Sequence, residues 1–382
     1  MNRAGGAERY LLELMRVLQN GGNDVALYTI DKTDWGRLSE IQGLETSPDH
    51  EYFLQEKTLE PGNIFSWIKV TLNYLWILTR AREETGLSIN NYGEVLPIIS
   101  DISIVHAVPL IAKSGNPYNI PLWDYIRHVY EYIHGRLADK TSRCIITNSR
   151  YNLERIKPHY EASIHVVNPP VAISTYIEGQ KDGGILTIAR ISPNKNLQHV
   201  TKIANRTHRN RFVIAGKTEP NSERVLRVLR EMRNIEVYIN PLRASLMELM
   251  ERSSILLSTQ QDEAFGMATV EAMSMGCIPL VYRGGGPWTD ILDETEGVYG
   301  YAYESEDEAT EKIDLILGDD EHRNELRDNC VQRSKIFSPD LFEEKIIRVI
   351  EGVQPVRVED FFTKLYKARM RLKAIRVSLL RR

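Results

Sequence analysis

Asp262-Glu263-Ala264-Phe265-Gly266-Met267-Ala268-Thr269-Val270-Glu271-Ala272 lies between two apolar runs, Ile255–Ser258 and Ile278–Tyr282. A strand, a polar loop, a helix and a second strand make a βαβ unit, and such units build parallel sheets. Two carboxylates eight positions apart would sit roughly 12 Å apart along a helix axis and ~80° out of line. Glu263 and Glu271 converge on one ligand only if Glu263–Gly266 is a loop and the helix starts after it. Gly266 permits that loop, and Thr269 is the expected helix cap. The helix N-terminus and the loop amides would then face an anion such as a diphosphate. On spacing alone the pair also reads as one solvated Glu and one helix-surface Glu.

Outward from this unit the same alternation continues. The first half offers strands at Asp24–Ile30, Leu87–Asn91, Ile102–His106, Arg143–Thr147 and Ile164–Val167. The second half offers Gly184–Ala189, Phe212–Ala215, Glu236–Ile239, Ile255–Ser258 and Ile278–Tyr282. Amphipathic stretches between them imply covering helices, hence an α/β protein with two Rossmann-like domains. At 382 residues the chain is long enough for two domains of ordinary size. Asn168-Pro169-Pro170, followed by the polar Glu178–Gly184, is the expected linker. The reading sets domains at 1–172 and 173–336, with 337–382 returning to the first and ending in a basic tail.

A second signal is Ile188-Ala189-Arg190-Ile191-Ser192-Pro193-Asn194-Lys195-Asn196, after the first strand of the second domain. Arg offers a planar fork and Lys a compact charge, and together they suit a leaving diphosphate; as solvated loop cations they would mean nothing. Gly5-Gly6 opens an amphipathic helix over Ala7–Leu18, bringing backbone amides within reach of a phosphate or sugar. A strand normally precedes such a loop and none is present, so either the first strand of the domain has been cut off, the favoured expectation, or the sheet is one strand short. His106 stands at the carboxyl end of a strand, where open α/β sheets bind ligands, although a single His is more often structural. Gly284-Gly285-Gly286-Pro287 stands at the equivalent edge of the second sheet.

Composition narrows the classes. Hydrophobic residues at 42% and charged residues at 26% describe a globular chain with ample core. A net charge of −4 argues against general nucleic-acid binding. Eight Lys or Arg and no acid lie between Phe361 and Arg382, which leaves −12 on the first 360 residues and gives the tail a partner of its own. Cys144, Cys277 and Cys330 show no metal-ligand spacing and fit a reducing cytoplasm. Neither a signal peptide nor a ~20-residue uncharged apolar run is evident, so no integral membrane segment is expected.

Taken in order, Gly5-Gly6-Ala7-Glu8-Arg9, Thr147-Asn148-Ser149-Arg150, Val166-Val167-Asn168-Pro169-Pro170-Val171, Arg190 to Lys195, Glu263 to Glu271 and Gly285-Gly286-Pro287 resemble the family-4 retaining glycosyltransferases of the GT-B fold. The resemblance runs from residue 2 to about 352. It looks closest to mannosyltransferases that extend lipid-linked oligosaccharides, on Phe265-Gly266-Met267 and Gly285-Gly286-Pro287-Trp288-Thr289-Asp290. It implies two Rossmann-like domains facing across a cleft. Arg190 and Lys195 would bind the donor diphosphate, Glu271 the ribose, and Glu263 with the amides of Phe265, Gly266 and Met267 the donor sugar. Gly5 and Gly6 would approach the diphosphate, His106 the reacting sugar or acceptor, and the base would lie near Asn240. The implied co-substrate is a nucleotide sugar, GDP-mannose favoured, with no cofactor and no metal. One departure is Ser258-Thr259-Gln260-Gln261, where many relatives have Pro-Ser before the acidic loop.

The aromatic stretch Ile64–Thr79 reads as a buried helix of the first domain or as one that dips into lipid. The tail interleaves apolar residues with cations, which suits an interfacial helix on anionic lipid or a helix packed across the first domain. The expectation is a cytoplasmic enzyme held peripherally on the inner face of a membrane, acting on a lipid-linked or glycan acceptor and not on nucleic acid. Rival readings are a sugar-nucleotide epimerase of the same fold and a non-catalytic nucleotide-sugar-binding subunit.

Overall fold

The computed structural model describes residues 5–56, 64–93, 100–107, 128, 144–160, 162–174, 181–219, 222–355, 363–364 and 366–371. The chain divides into two units, one of residues 1–148, 152–167 and 343–382, the other of 149–151 and 168–342. The division at Val167 falls beside Asn168-Pro169-Pro170, where prolines cannot donate to a ladder.

The first unit opens with α1 (Gly6–Asn20), whose Leu12, Leu14, Met15 and Val17 are buried. Then come β1 (Ala26–Asp31), α2 (Trp35–Gln42), β2 (His50–Gln55), α3 (Ile64–Glu84), β3 (Ile89–Asn90), β4 (Ile102–Val105), β5 (Cys144–Thr147), α4 (Arg150–Ile156) and β6 (Ser163–Val166). β1 and β2 form a parallel pair, and β3-β4-β5-β6 a parallel sheet. β4 and β5 are wholly buried, as the central strands of a covered parallel sheet must be. The expected strand at Leu87–Asn91 shrinks to two residues, and β2 was not expected at all.

The C-terminal segment packs on α3. Tyr366 donates its hydroxyl to Glu84 Oε1 at 2.6 Å, and its ring lies 5.0 Å from Trp76. The Arg369 guanidinium stands 4.4 Å from the Trp76 ring centre. This part of the tail is thus a helix packed on the first unit; residues 372–382, which carry the rest of the basic run, lie outside the described residues. α3 is neither wholly buried nor wholly free: Ile77 and Leu78 are buried, while Leu72 is 59% exposed. Among the described residues no helix is long and apolar enough to cross a membrane.

The second unit holds β7 (Gly184–Ile188), α5 (Gln198–Arg206), β8 (Phe212–Gly216), α6 (Glu223–Glu231), β9 (Ile235–Ile239), α7 (Arg243–Arg252), β10 (Ser253–Ser258), α8 (Met267–Ser274), β11 (Ile278–Tyr282), β12 (Tyr301–Tyr303), α9 (Glu306–Gly318), α10 (Asp320–Ser334) and the start of α11 (Pro339–Glu351). Its six parallel strands run in the order β12-β11-β10-β7-β8-β9. That is the doubly wound Rossmann order, in which winding reverses between the first and fourth strands. Here the reversal lies between β7 and β10, whose register pairs Leu186 with Leu256. Ile185, Phe212, Ile255, Leu257, Val270 and Ile278 pack into one core beneath the sheet. β12, a three-residue strand directly after Gly300, was also missed in the sequence.

Candidate functional site

Open parallel sheets leave a crevice beyond the carboxyl ends of the strands that flank the reversal. In the second unit the loops after β7 and β10 occupy that place. Arg190 follows β7; its side chain is 56% exposed and ion-paired to Glu219, which follows β8. Lys195 ends a single tight turn, Pro193–Lys195, and the chain leaves through Asn196 at φ +53°. Its ammonium donates to Gln260 Oε1 and lies 3.8 Å from Glu263 Oε2. Burial pulls the Lys195 pKa down and the Glu263 carboxylate works against that shift. The cation is therefore partly desolvated, the state in which a fixed charge acts most strongly on a neighbouring anion.

The Glu263–Gly266 segment is a loop, and α8 begins at Met267. Gly266 takes the cap position at φ +94°, a conformation that disfavours any side chain. Thr269 is not the cap: it is the third residue of the helix and is buried. Among the described residues no side chain caps α8; the Thr269 amide donates to the Gly266 carbonyl at 2.9 Å, and Met267 and Ala268, at the positive end of the helix dipole, line the pocket there. The Gly284–Gly286 turn holds the acidic loop in place. The Gly286 N–H donates to the Glu263 carbonyl at 2.7 Å, and a Cβ at Gly286 would come within 2.3 Å of the Ala264 carbonyl oxygen. The glycines after β11 thus let two loops lie backbone to backbone.

A pocket of about 120 Å³ results, lined by Lys195, Gln260, Glu263, Gly266, Met267 and Thr269 among others. Arg190, Glu271 and Asn240 are not part of its lining. The Glu271 carboxylate is held at both oxygens by Arg243, at 2.9 and 3.0 Å. Asn240, at φ +49°, donates its N–H to the Gly216 carbonyl at 2.9 Å and accepts from the Thr218 N–H at 3.2 Å. The Phe265 ring points away, packed edge-on against Phe337 at 5.3 Å in the core, so only its backbone remains for a ligand.

The first unit builds a separate polar cluster. Gly5 caps α1, and its N–H donates to Glu8 Oε2 at 2.8 Å. The other Glu8 oxygen accepts the Tyr92 hydroxyl at 2.6 Å, and the Gly5 carbonyl accepts from Gln42 Nε2 at 3.1 Å. The Gly5 amide, expected to approach a diphosphate, is thus donated inward to Glu8; Gly6 is the first residue of the helix. Asn91, just after β3, donates Nδ2 to the Ala7 carbonyl at 3.0 Å, which fixes its Oδ1 as the acceptor for His106 Nε2 at 3.0 Å. His106 therefore carries its proton on Nε2. Its ring meets Tyr10 edge-on at 5.0 Å, and burial lowers its pKa to about 4, leaving it neutral.

Sequence reasoning did not find Glu219, Gln260 and Arg243, because each meets its partner across 28 or more positions of chain. Glu8 was within reach: a Glu three residues after a cap position is the mark of a capping box.

Residues 176–333 match the family described as Glycosyl transferases group 1. A mouse protein named GDP-Man:Man(3)GlcNAc(2)-PP-Dol alpha-1,2-mannosyltransferase is 27% identical over 244 residues, covering 56% of this chain and 49% of its own. The Xenopus laevis protein of the same name is 25% identical over 412 residues, covering 91% of this chain and 84% of its own. The chain thus spans about half the length of the mouse and human relatives it matches. Among solved structures, Anabaena HepE in complex with UDP superposes with a TM-score of 0.68 at 15% identity, over 91% of this chain and 96% of that one. WaaG, a glycosyltransferase involved in lipopolysaccharide biosynthesis, gives 0.64 at 16% identity over 91% and 96%. The fold is GT-B, and the match to the group 1 glycosyltransferase family lies within the second unit.

Proposed function

We propose that this chain is a retaining glycosyltransferase that moves a hexose, mannose favoured, from a nucleotide sugar to a lipid-linked or glycan acceptor. The observation that carries the reading is Lys195, partly desolvated, set against Glu263 and the uncapped start of α8 at the sheet reversal. A nucleoside diphosphate fits that arrangement, with its charge shared between Lys195, Arg190 and the helix dipole. Glu263 would hold sugar hydroxyls and Glu271, positioned by Arg243, the ribose. The names of the mouse and frog relatives support GDP-mannose as donor and a dolichyl diphosphate glycan as acceptor.

Retention follows from a front-face displacement. The bond from the anomeric carbon to the donor phosphate oxygen breaks, the acceptor oxygen bonds to the same face, and the acceptor proton passes to the departing diphosphate. The protein supplies position and charge, and no metal is required. Thermal-shift binding against nucleoside diphosphates and nucleotide sugars, with EDTA present, tests this. Selective stabilisation by GDP or GDP-mannose is the expected result. Preference for UDP compounds would remove mannose, and no response to any of them would remove the donor site.

A peripheral seat on the cytoplasmic face of a membrane completes the proposal. Support comes from the eight tail cations and from the surface where the tail starts, which exposes Leu72 at 59% and Met370 at 41% beside Trp76 and Arg369. Each cation near an anionic surface contributes about 1 kcal/mol. A chain ending at Val356 should lose sedimentation with anionic liposomes; unchanged binding would remove the tail's role.

A further inference from the structure

The strands that lead to Lys195 and Gln260 begin at a second concavity. It measures about 480 Å³ and is lined by Lys181, Asp182, Arg209, Arg211, Arg323 and Arg327, with two Asn and a few apolar or small residues. β7 and β10 leave from this edge, so it lies one strand length, about 17 Å at ~3.3 Å per residue, from the crevice where they end.

We propose that this concavity binds a phosphate group at a site separate from the donor pocket. Five cations line it against one carboxylate. That carboxylate is already committed: Asp182 accepts from the Gly184 N–H at 2.9 Å, from Arg211 at 2.6 Å and from Arg252 at 3.3 Å. Its charge ties down the entry to β7 and does not neutralise the rest of the lining. Three further acids that pair with the cations stand outside the lining and are open to solvent. Asp314 pairs with Arg209 at 2.6 Å, Asp320 with Arg323, and Glu236 with Arg211 at 3.3 Å; these carboxylates are 46%, 84% and 48% exposed. Such pairs are weak and exchange readily, whereas a phosphate can take charge-assisted hydrogen bonds from several cations together.

The cations come from three separate stretches of the second unit. Arg323 and Arg327 lie four residues apart on α10, a spacing at which like charges repel. Lys181 donates to the Met250 carbonyl at 2.9 Å; burial pulls its pKa down, Cys277 and Glu251 work against that shift, and the Arg327 charge adds to it. Arg209 and Arg211 flank the turn into β8. A phosphate seated among them would join the starts of β7 and β8 to α10.

The test uses the full chain, inorganic phosphate as probe, and sodium chloride at matched ionic strength as control. Wild type should show a phosphate-specific rise in Tm that persists in Arg190→Ala. In Arg209→Gln/Arg323→Gln, and more weakly in Arg209→Gln alone, the phosphate affinity should fall by roughly tenfold or more. Vesicles of phosphatidic acid and of phosphatidylcholine separate the sources of the phosphate. Selective retention on phosphatidic acid that the double variant loses would assign a lipid headgroup, and loss of the soluble response alone a free phosphate. An equal phosphate response in wild type and double variant, or one lost only in Arg190→Ala, would overturn the proposal.

Discussion

The two units hold their candidate groups by different means. In the second, Lys195, Glu263 and the start of α8 stand on loops whose roots are buried strands, with a continuous apolar core under the sheet. In the first, Gly5, His106 and Asn91 are fixed by a polar network through Glu8, Ala7 and Tyr92. Charged side chains at the second site stand at the edge of a core that does not depend on them. Polar side chains at the first are themselves the scaffold. Side-chain substitutions should therefore separate: at the charged groups of the second site they remove activity and spare stability, and at the polar network of the first they cost stability and change its pH dependence.

The largest expected effect is Arg190→Ala. Turnover should fall by ~10²-fold or more, as for other preorganised charge stabilisers, with Tm little changed because the side chain is 56% exposed. Near-wild-type turnover, or a Tm loss matching that of the first-unit variants, would break the contrast.

Gly286→Ala probes the backbone of the same site. Its Cβ would overlap the Ala264 carbonyl, so the acidic loop must shift, at about 2–3 kcal/mol in denaturant unfolding. Unfolding like wild type, with donor affinity intact, would show that the two loops are not locked together.

His106 sharpens the comparison through pH. Its folded pKa, about 4, lies below the ordinary value of 6.5, so the unfolded chain takes up the proton first. Stability from this group is full above pH ~6.5 and is lost as pH falls toward 4, about 2 kcal/mol by pH 5 at ~1.36 kcal/mol per unit. His106→Gln should flatten that slope in urea titrations at a series of pH values. An unchanged slope would place the acid sensitivity elsewhere.

Glu8→Ala is the smallest. Loss of the cap on α1 and of the Tyr92 partner should cost about 1 kcal/mol in urea unfolding. Donor binding should not move, and a donor-affinity loss as large as that of Arg190→Ala would erase the distinction between the units.

The same contrast explains what could be read from the sequence. β11 shows as Ile278–Tyr282 at both ends, because a strand buried on both faces is an uninterrupted apolar run. β2 has no such run: His50, Tyr52 and Phe53 are exposed, and among the described residues the strand pairs only with β1. β12 has three residues, too few to show a period. The loop-then-helix geometry at Glu263 was legible because Gly266 marks the break, whereas Thr269 looked like a cap until the helix was seen to start two residues earlier. The partners of Arg190, Lys195 and Glu271 follow from strand order, and strand order is not written in any local pattern.

The three cysteines turn the contrast into an optical signal. Cys144, Cys277 and Cys330 are buried free thiols, and burial raises all three, Cys144 to about 11. The intact protein is therefore silent to thiol-reactive dyes at neutral pH. Dye uptake, mapped by peptide mass, then clocks each half separately: Cys144 timestamps the opening of the first unit, and Cys277 and Cys330 that of the second.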